Sequence, residues 1–518
     1  MRTLRVLRNV ITNYLRFGVT GLVGFVLTPI MVHVMGDGDY GLWVAVFSLT
    51  GYFGLFDQGI RPSLVRYVSR DHARGDQEGL SGTISSAFML YGVVGVLAIA
   101  ATAVVATQFG TWFHVGPDQL PVARSVVWLA GASVAIGFPF GVFGAVLSGL
   151  QRYDIGNGIG IGIAIARALA FVAVLRAGGG IVGLAWTSLA LNVAGHGLSW
   201  LAVRRQLPDV HLRARSVSRE RLRMIGSYSS FAFIGALATS IAFQTDALVI
   251  TAFLGTAFVT PFALAAGLVD NARSLVHSAT WVLSPTASEL ETKGEAGKLH
   301  EMMIAGGKYS VLVSWPVLAA LILFGGSLLV TWVGEKYREA HPLLILLAAP
   351  TALSLPQSAM ASILFGVSRH RGVVVLSLLN ALVNLGLSLL WVRPWGLTGV
   401  ALGTAVPLGF VGGIAMMVYG CRALGLPLRR YVGEAMLKPG LVSMAFVVPA
   451  AIVQLMFHPI GWAPLGIAVF GCWIPFAFCA WRFALGPAER TRWKDAVAGL
   501  AGARGTPAPA VAGEGTPS

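Results

Sequence analysis

Fourteen predominantly apolar stretches follow one another between residues 10 and 485, separated by short polar breaks. They lie at 10–35, 41–65, 82–108, 122–148, 155–176, 181–203, 225–254, 257–288, 304–333, 341–367, 371–392, 397–421, 437–457 and 462–485. Each is long enough to cross about 30 Å of hydrocarbon at about 1.5 Å per residue. Such a run must pair its backbone groups internally, which makes it a helix. With 56% of residues hydrophobic and 11% charged, a soluble chain of this length could not keep its apolar surface dry. The expectation is an all-α polytopic membrane protein of about 14 transmembrane helices.

The formal net charge is +15, but its placement argues against nucleic acid as a partner. The basic residues sit in short loops between apolar segments. The loops after even-numbered helices include "RYVSRDHARGDQEG", "RRQLPDVHLRARSVSRERLR" and "CRALGLPLRRY", whereas "GDGDY", "GTAFVT" and "AGGG" lie on the other side. Of the 37 lysines and arginines, 29 fall on the first side, 5 on the second and 3 inside the core. By the positive-inside rule both termini are cytoplasmic. The Arg-rich loop 204–223 reads as a topology signal that also contacts anionic headgroups.

Other classes lose ground for equally simple reasons. Cys421, Cys472 and Cys479 form no C-x-x-C pattern and fall in or beside apolar segments, so neither disulfides nor a metal site is expected. The basic N-terminus leads into a run without a small-residue cleavage site, as a retained first helix would. No Walker A sequence is present, and no external loop is long enough to be a catalytic domain, so no enzymatic activity and no catalytic residues are expected. The tail from residue 486 is rich in Pro, Gly and Ala and reads as a disordered cytoplasmic segment.

An internal repeat orders the helices. "VMGDGDYG" at 34–41 and "FLGTAFVT" at 253–260 are 219 residues apart, as are "ARGDQEGL" at 73–80 and "TKGEAGKL" at 292–299. "IVGLAWTSL" at 181–189 matches "LTGVALGTA" at 397–405 at a spacing of 216. Six helices intervene, an even number, so the two copies share one orientation. This predicts two six-helix lobes, 1–215 and 216–425, facing each other across a cavity, with helices 13 and 14 at 426–485 and the tail at 486–518.

The run "TPIMVHVMGDGDYGLWVAVFSLTGYFGLFDQGIRPSLVRYVSR" resembles the N-terminal signature of Wzx-type polysaccharide flippases of the multidrug/oligosaccharidyl-lipid/polysaccharide exporter superfamily. The matching positions are Pro29, Gly36, Tyr40, Gly41, Asp57 and Gly59, and Asp246 in "QTDALVITAFLG" falls at the family's acidic position in helix 7. The resemblance implies translocation of an undecaprenyl-diphosphate-linked oligosaccharide across the bacterial plasma (inner) membrane. It would serve surface polysaccharide biosynthesis: O-antigen (as in lipopolysaccharide), capsule or exopolysaccharide. A polysaccharide polymerase and a chain-length regulator are the protein partners so implied. Helix 1 carries only Arg16, where the lipid II branch carries several arginines. Lipid II is therefore the less fitting cargo.

Charges within the apolar segments supply the candidate site. Counted from Gly41, Asp57 lies roughly 24 Å deep and Arg61 about 30 Å. Their i,i+4 spacing puts them on one helix face, at the cytoplasmic mouth, with Pro62 weakening the helix beside them. Arg167 in helix 5, and Asp270 with Arg273 in helix 8, lie near the midplane. Charges so placed rarely face lipid. For a diphosphate cargo, Arg167, Arg273 and Arg61 are the candidate binding residues, because guanidinium groups hold phosphate oxygens bidentately and keep their charge. Asp57, Asp246 and Asp270 are the candidate gate or ion-coupling residues. No cofactor is expected beyond a coupling Na⁺ or H⁺. His196 reads as a packed histidine, while Asn192, Gln244, Asn271, Trp186 and Trp281 are candidate sugar contacts. Two other functions fit the same sequence: a cation-coupled multidrug exporter of the superfamily, and a non-transporting scaffold of a polysaccharide-assembly complex.

Overall fold

Gly36 takes φ 73° and ψ 175°, a conformation that costs a residue with a side chain about 1 kcal/mol or more. That residue alone turns the first helix into the second. The computed structural model describes residues 2–227, 230–280, 282–487, 489–491 and 494–495. α1 (Arg2–Gly51) thus contains two helices, and beyond Tyr52 and Phe53 the second continues as α2 (Gly54–Ala73). α3 (Gln77–Trp112), α4 (Leu120–Gly149), α5 (Tyr153–Arg176) and α6 (Gly180–Gln206) complete the first half.

The short α7 (Arg219–Ser227) precedes α8 (Ser230–Phe253), α9 (Val259–Thr280), α10 (Leu283–Thr292) and α11 (Ala296–Val333). α12 (His341–Ser354) and α13 (Gln357–Gly366) lead into α14 (Arg371–Pro407), again two helices divided at a glycine, Gly396. The chain continues through π-helical turns to α15 (Met416–Leu424) and α16 (Leu428–Tyr431), then to α17 (Lys438–Phe457) and α18 (Trp462–Cys479).

The fold is all-α, with no strand among the described residues. Nine helices among them are long and apolar enough to cross a membrane, and two of these, Ile11–Ala73 and Arg371–Leu424, are double spans. A tenth arises where α12 and α13 together form a span bent by 44°. The bend falls at Pro356, which has no N–H to continue the helical ladder. α8 adds a shorter apolar stretch, Leu237–Phe253, among the described residues, and α9 carries Asp270 and Arg273.

Helix 2 weakens at a different place from the one its proline marks. α2 runs through Pro62, and the ladder changes instead at Tyr52 and Phe53. There the N–H groups of Tyr52, Phe53, Leu55 and Phe56 each bond three residues back. The cause is tertiary. α8 comes close at this level: a Cβ on Gly51 would lie 2.9 Å from the Gln244 side chain, and the Tyr52 hydroxyl bonds Thr245 Oγ1.

Glycines at matching positions of the repeated sequence segments share positive φ. Gly36 and Gly255 have φ of 73° and 102°, Gly75 and Gly294 have 69° and 71°, and Gly180 and Gly396 have 53° and 57°. Each half has its own core. Leu64, Ile84, Tyr91, Phe138 and Val146 are central to one, and Ile250, Phe262, Leu268, Leu344 and Val400 to the other. The Arg-rich loop is tied to the first half: Leu207 and Val210 are buried in its core beside Ile225 of α7, and the Arg213 N–H donates to Ser85 Oγ at 3.1 Å. α17 and α18 attach to α11 through Phe446, Leu465 and Phe476. The start of the tail is docked as well, with Lys308 Nζ 2.7 and 2.9 Å from the Glu489 carboxylate and Tyr309 donating to it at 2.8 Å. The expected disorder of the tail concerns mainly residues 496–518, which lie outside the described ones.

The two arms of α14 pack on each other through glycine. A Cβ at Gly403 would lie 2.6 Å from the Ser388 backbone nitrogen, whereas Gly386 in the same helix has open space. Gly403→Leu should therefore lower the unfolding temperature in detergent by several degrees, and Gly386→Leu should leave it unchanged. Equal unfolding temperatures for the two variants would contradict this packing.

Candidate functional site

Four arginines from three separate parts of the first half converge on one cavity of about 360 Å³. Arg16 comes from the first turns of the membrane-crossing part of α1, which begins at Ile11, Arg61 from α2, Arg152 from the residue before α5, and Arg167 from the middle of α5. Asn192 and His196, one turn apart on α6, line the same space. Their partners differ in kind. Arg61 lies 3.5 Å from Asp57, and Arg152 lies 3.2 Å from Asp154 while donating to Gln206 Oε1 at 2.9 Å.

Arg16 and Arg167 have amides instead. Arg16 donates to Asn157 Oδ1 at 3.4 Å, and Arg167 donates to Asn192 Oδ1 at 2.7 Å. Asn192 is fixed in turn by donating to Ser133 Oγ at 2.7 Å. The buried Nε of Arg167 has no hydrogen-bond partner among the described residues. An amide orients a guanidinium without cancelling its charge. The cavity thus keeps a net positive field with donors aimed inward.

The second half holds a smaller cavity of about 200 Å³, lined by Arg273, His277, Asn380, Asn384, Thr404 and Phe243 among others. Arg273 is largely committed: it donates to Asp270 Oδ1 at 3.0 Å and Thr351 Oγ1 at 2.9 Å, and lies 5.2 Å from the Phe243 ring centre. Beside it Asp246 is 5% exposed and accepts from Thr404 Oγ1 at 2.6 Å through Oδ2. Its Oδ1 and the Asn384 Oδ1 are buried without a hydrogen-bond partner among the described residues.

The sequence-derived candidates are thus divided. Arg61 and Arg167 share the first cavity, while Arg273 lines the second with Asp246 and Asp270 close by. Asp57 accepts from the Tyr91 hydroxyl at 2.7 Å and restrains Arg61. His196 lines the arginine cavity, where a packed histidine was expected. Asn192 lines it too, but Trp186 is 59% exposed and lines neither cavity, and Trp281 lies outside the described residues. Arg152 escapes sequence reasoning because it stands in a loop where basic residues are expected anyway. Asn380 and Asn384 carried a usable signal: two amides four residues apart within the apolar "LLNALVNLG".

These features define an all-α polytopic membrane protein with two polar cavities among the described residues. The chain belongs to the polysaccharide biosynthesis protein family, whose sequence profile matches residues 6–291. It is 22% identical over 462 residues to the uncharacterized membrane protein EpsK of Bacillus subtilis (strain 168), covering 87% of this chain and 90% of that one. Its fold matches the lipid II flippase MurJ in an inward closed conformation, with a TM-score of 0.70 at 11% identity over 94% of this chain and 99% of that one. It also matches a multidrug resistance MATE family transporter of the MOP superfamily in an inward-facing conformation. There the TM-score is 0.66 at 17% identity, over 80% of this chain and 95% of that one.

The Thr404 bond to Asp246 gives a direct test of the second site. A buried carboxylate that loses a donor costs about 1–3 kcal/mol. Thr404→Val should lower the unfolding temperature by several degrees, while Thr404→Ser should stay close to wild type. A valine variant as stable as the serine one would show that the bond does not matter.

Proposed function

We propose that this protein is a flippase. It carries an undecaprenyl-diphosphate-linked oligosaccharide from the cytoplasmic to the outer leaflet of the bacterial plasma membrane, alternating between inward- and outward-open states. The observation that carries this reading is the first-half cavity, in which four guanidinium groups meet and two of them have only amide partners among the described residues. A diphosphate offers what they lack: a compact anion whose oxygens each accept charge-assisted hydrogen bonds. Family membership supports a role in polysaccharide synthesis. A cationic drug would meet repulsion in the same cavity, which speaks against a multidrug exporter.

Orientation follows from loop charge: both termini and the Arg-rich loop face the cytoplasm. Arg152, just before α5, and Arg16, in the first turns of the α1 span, receive the headgroup at the cytoplasmic mouth, and Arg167 holds it deeper. The Asp57–Arg61 pair stands between them as a gate element. Transport needs no catalytic residue, and the lipid tail stays in the bilayer. Coupling falls to the second half, where the unpartnered oxygens of Asp246 and Asn384 can take Na⁺ or, on the carboxylate, a proton. Asp270 is spoken for by Arg273, itself a weaker candidate for the diphosphate than Arg16 because its partners are filled. A polymerase and a chain-length regulator would use the delivered product.

In a strain relying on this protein, Arg16→Gln with Arg167→Gln should cut surface polysaccharide by about tenfold or more, an effect of about 1.4 kcal/mol per decade. Undecaprenyl-linked precursor should accumulate, with the protein still present in the membrane at its normal level. Asp246→Asn should impair export without weakening precursor binding. Unchanged surface polysaccharide in the double arginine variant would contradict the proposal.

A further inference from the structure

The turn at residues 36–41, "GDGDYG", takes no part in either cavity, yet its Asp37 alone makes three polar contacts across the two halves. Lys336 Nζ lies 2.5 Å from Asp37 Oδ2, and the Tyr337 hydroxyl donates to Asp37 Oδ1. Thr260 Oγ1 donates to the Asp37 carbonyl oxygen at 2.7 Å. Asp39 accepts from Gln119 Nε2 at 3.1 Å, and Gln119 Oε1 accepts from Thr256 Oγ1 at 3.3 Å. Next to them the His114 N–H donates to the Thr251 carbonyl at 3.2 Å.

The contact is symmetric in the sense of the repeat. With the offset of 219 residues, Gly41 corresponds to Thr260 and Asp37 to Thr256. Gly41 packs so tightly on Thr256 that a Cβ there would overlap the Thr256 carbonyl oxygen. The mirrored contact is Thr260 on Asp37, which is the hydrogen bond just described. Residue i of one half meets j of the other, and their counterparts meet in return, as in a two-fold interface. The pseudo-axis relating the halves therefore passes between these two turns. They lie on the face of short loops, opposite the Arg-rich loop, while the first cavity reaches from Arg167 toward Arg152 and Tyr153 near the other face.

We propose that the Gly36–Gly41 turn and its counterpart at Gly255–Thr260, with Lys336 and Tyr337, form a clasp on the axis of the two halves. The clasp closes the outer face in the conformation seen here and must separate for cargo to leave. This rests on the transport reading. The composition of the clasp suits the task. It is made chiefly of hydrogen bonds and an ion pair at the membrane surface, with Lys336 70% exposed, and water can replace such bonds as the turns part. A fixed pivot on the same axis would instead keep these contacts throughout the cycle, and the two ideas predict opposite results when the turns are tied together.

The test uses the full chain with Cys421, Cys472 and Cys479 replaced by alanine. Asp37→Cys and Lys336→Cys are bridged in intact cells by a short, reducible bis-methanethiosulfonate reagent. Bridging should abolish surface polysaccharide export, a reductant should restore it, and either single cysteine should be unaffected by the reagent. Export continuing at the unbridged rate, with nearly all molecules bridged, would overturn the clasp in favour of a pivot. A second measurement does not depend on cargo. In Asp37→Asn/Lys336→Met, labelling of Gly141→Cys by a membrane-impermeant maleimide added outside should rise about threefold or more. Unchanged labelling would overturn the proposal. Were the unbridged protein to export no polysaccharide at all, the flippase reading would fall, and the labelling would still decide the clasp.

Discussion

A guanidinium group within a membrane helix must have water, a counter-charge or a hydrogen-bond acceptor, and Arg167 has a single amide. Much of the first half can be read as consequence. Asn192 faces Arg167 from α6 and is itself held by Ser133 of α4, so three helices are registered by one side chain. Burying a cation this way is expensive and adds little to stability that an apolar side chain would not supply better. The expense is understandable if an anion completes the site for part of a working cycle. Arg16 repeats the pattern with Asn157, which in turn donates to Thr12.

The second half answers with the opposite charge. Its buried carboxylate, Asp246, is held by Thr404 from the far arm of α14, and Asp270 and Arg273 neutralise each other within α9. One half thus offers donors to an anion, the other acceptors to a cation. Glycines at matching positions of the two halves share positive φ. On the proposed function, cargo and coupling ion fall to different halves of the transporter.

The all-α membrane class was legible because hydropathy is a local, additive signal, and the glycines at the constant 219-residue offset share positive φ. Several breaks were not legible. Pro62 promised a bend that α2 does not make, and Tyr52 gave no hint of one, because its ladder is altered by α8, nearly 200 residues away. Individual site residues were legible where a charge interrupts an apolar run, as with Arg167 and Asp246. Their grouping was not: Arg61 and Arg167 share a cavity while Arg273 lines another, a matter of helix rotation that sequence spacing leaves open. Arg152 was hidden by the very rule that orients the chain, since a cytoplasmic loop arginine needs no further reason.

The central claim is that a polyprenyl diphosphate crosses the bilayer through the arginine-lined half of this protein. The most direct measurement is a reconstituted one: purified protein in liposomes holding a fluorescent undecaprenyl-diphosphate oligosaccharide, with leaflet exchange read by an impermeant quencher. The account predicts protein-dependent exchange that is lost on replacing Arg167 by glutamine and unaffected by replacing Arg124, an exposed residue outside the cavity. Exchange no faster than in protein-free liposomes, under either a Na⁺ or a proton gradient, would contradict it.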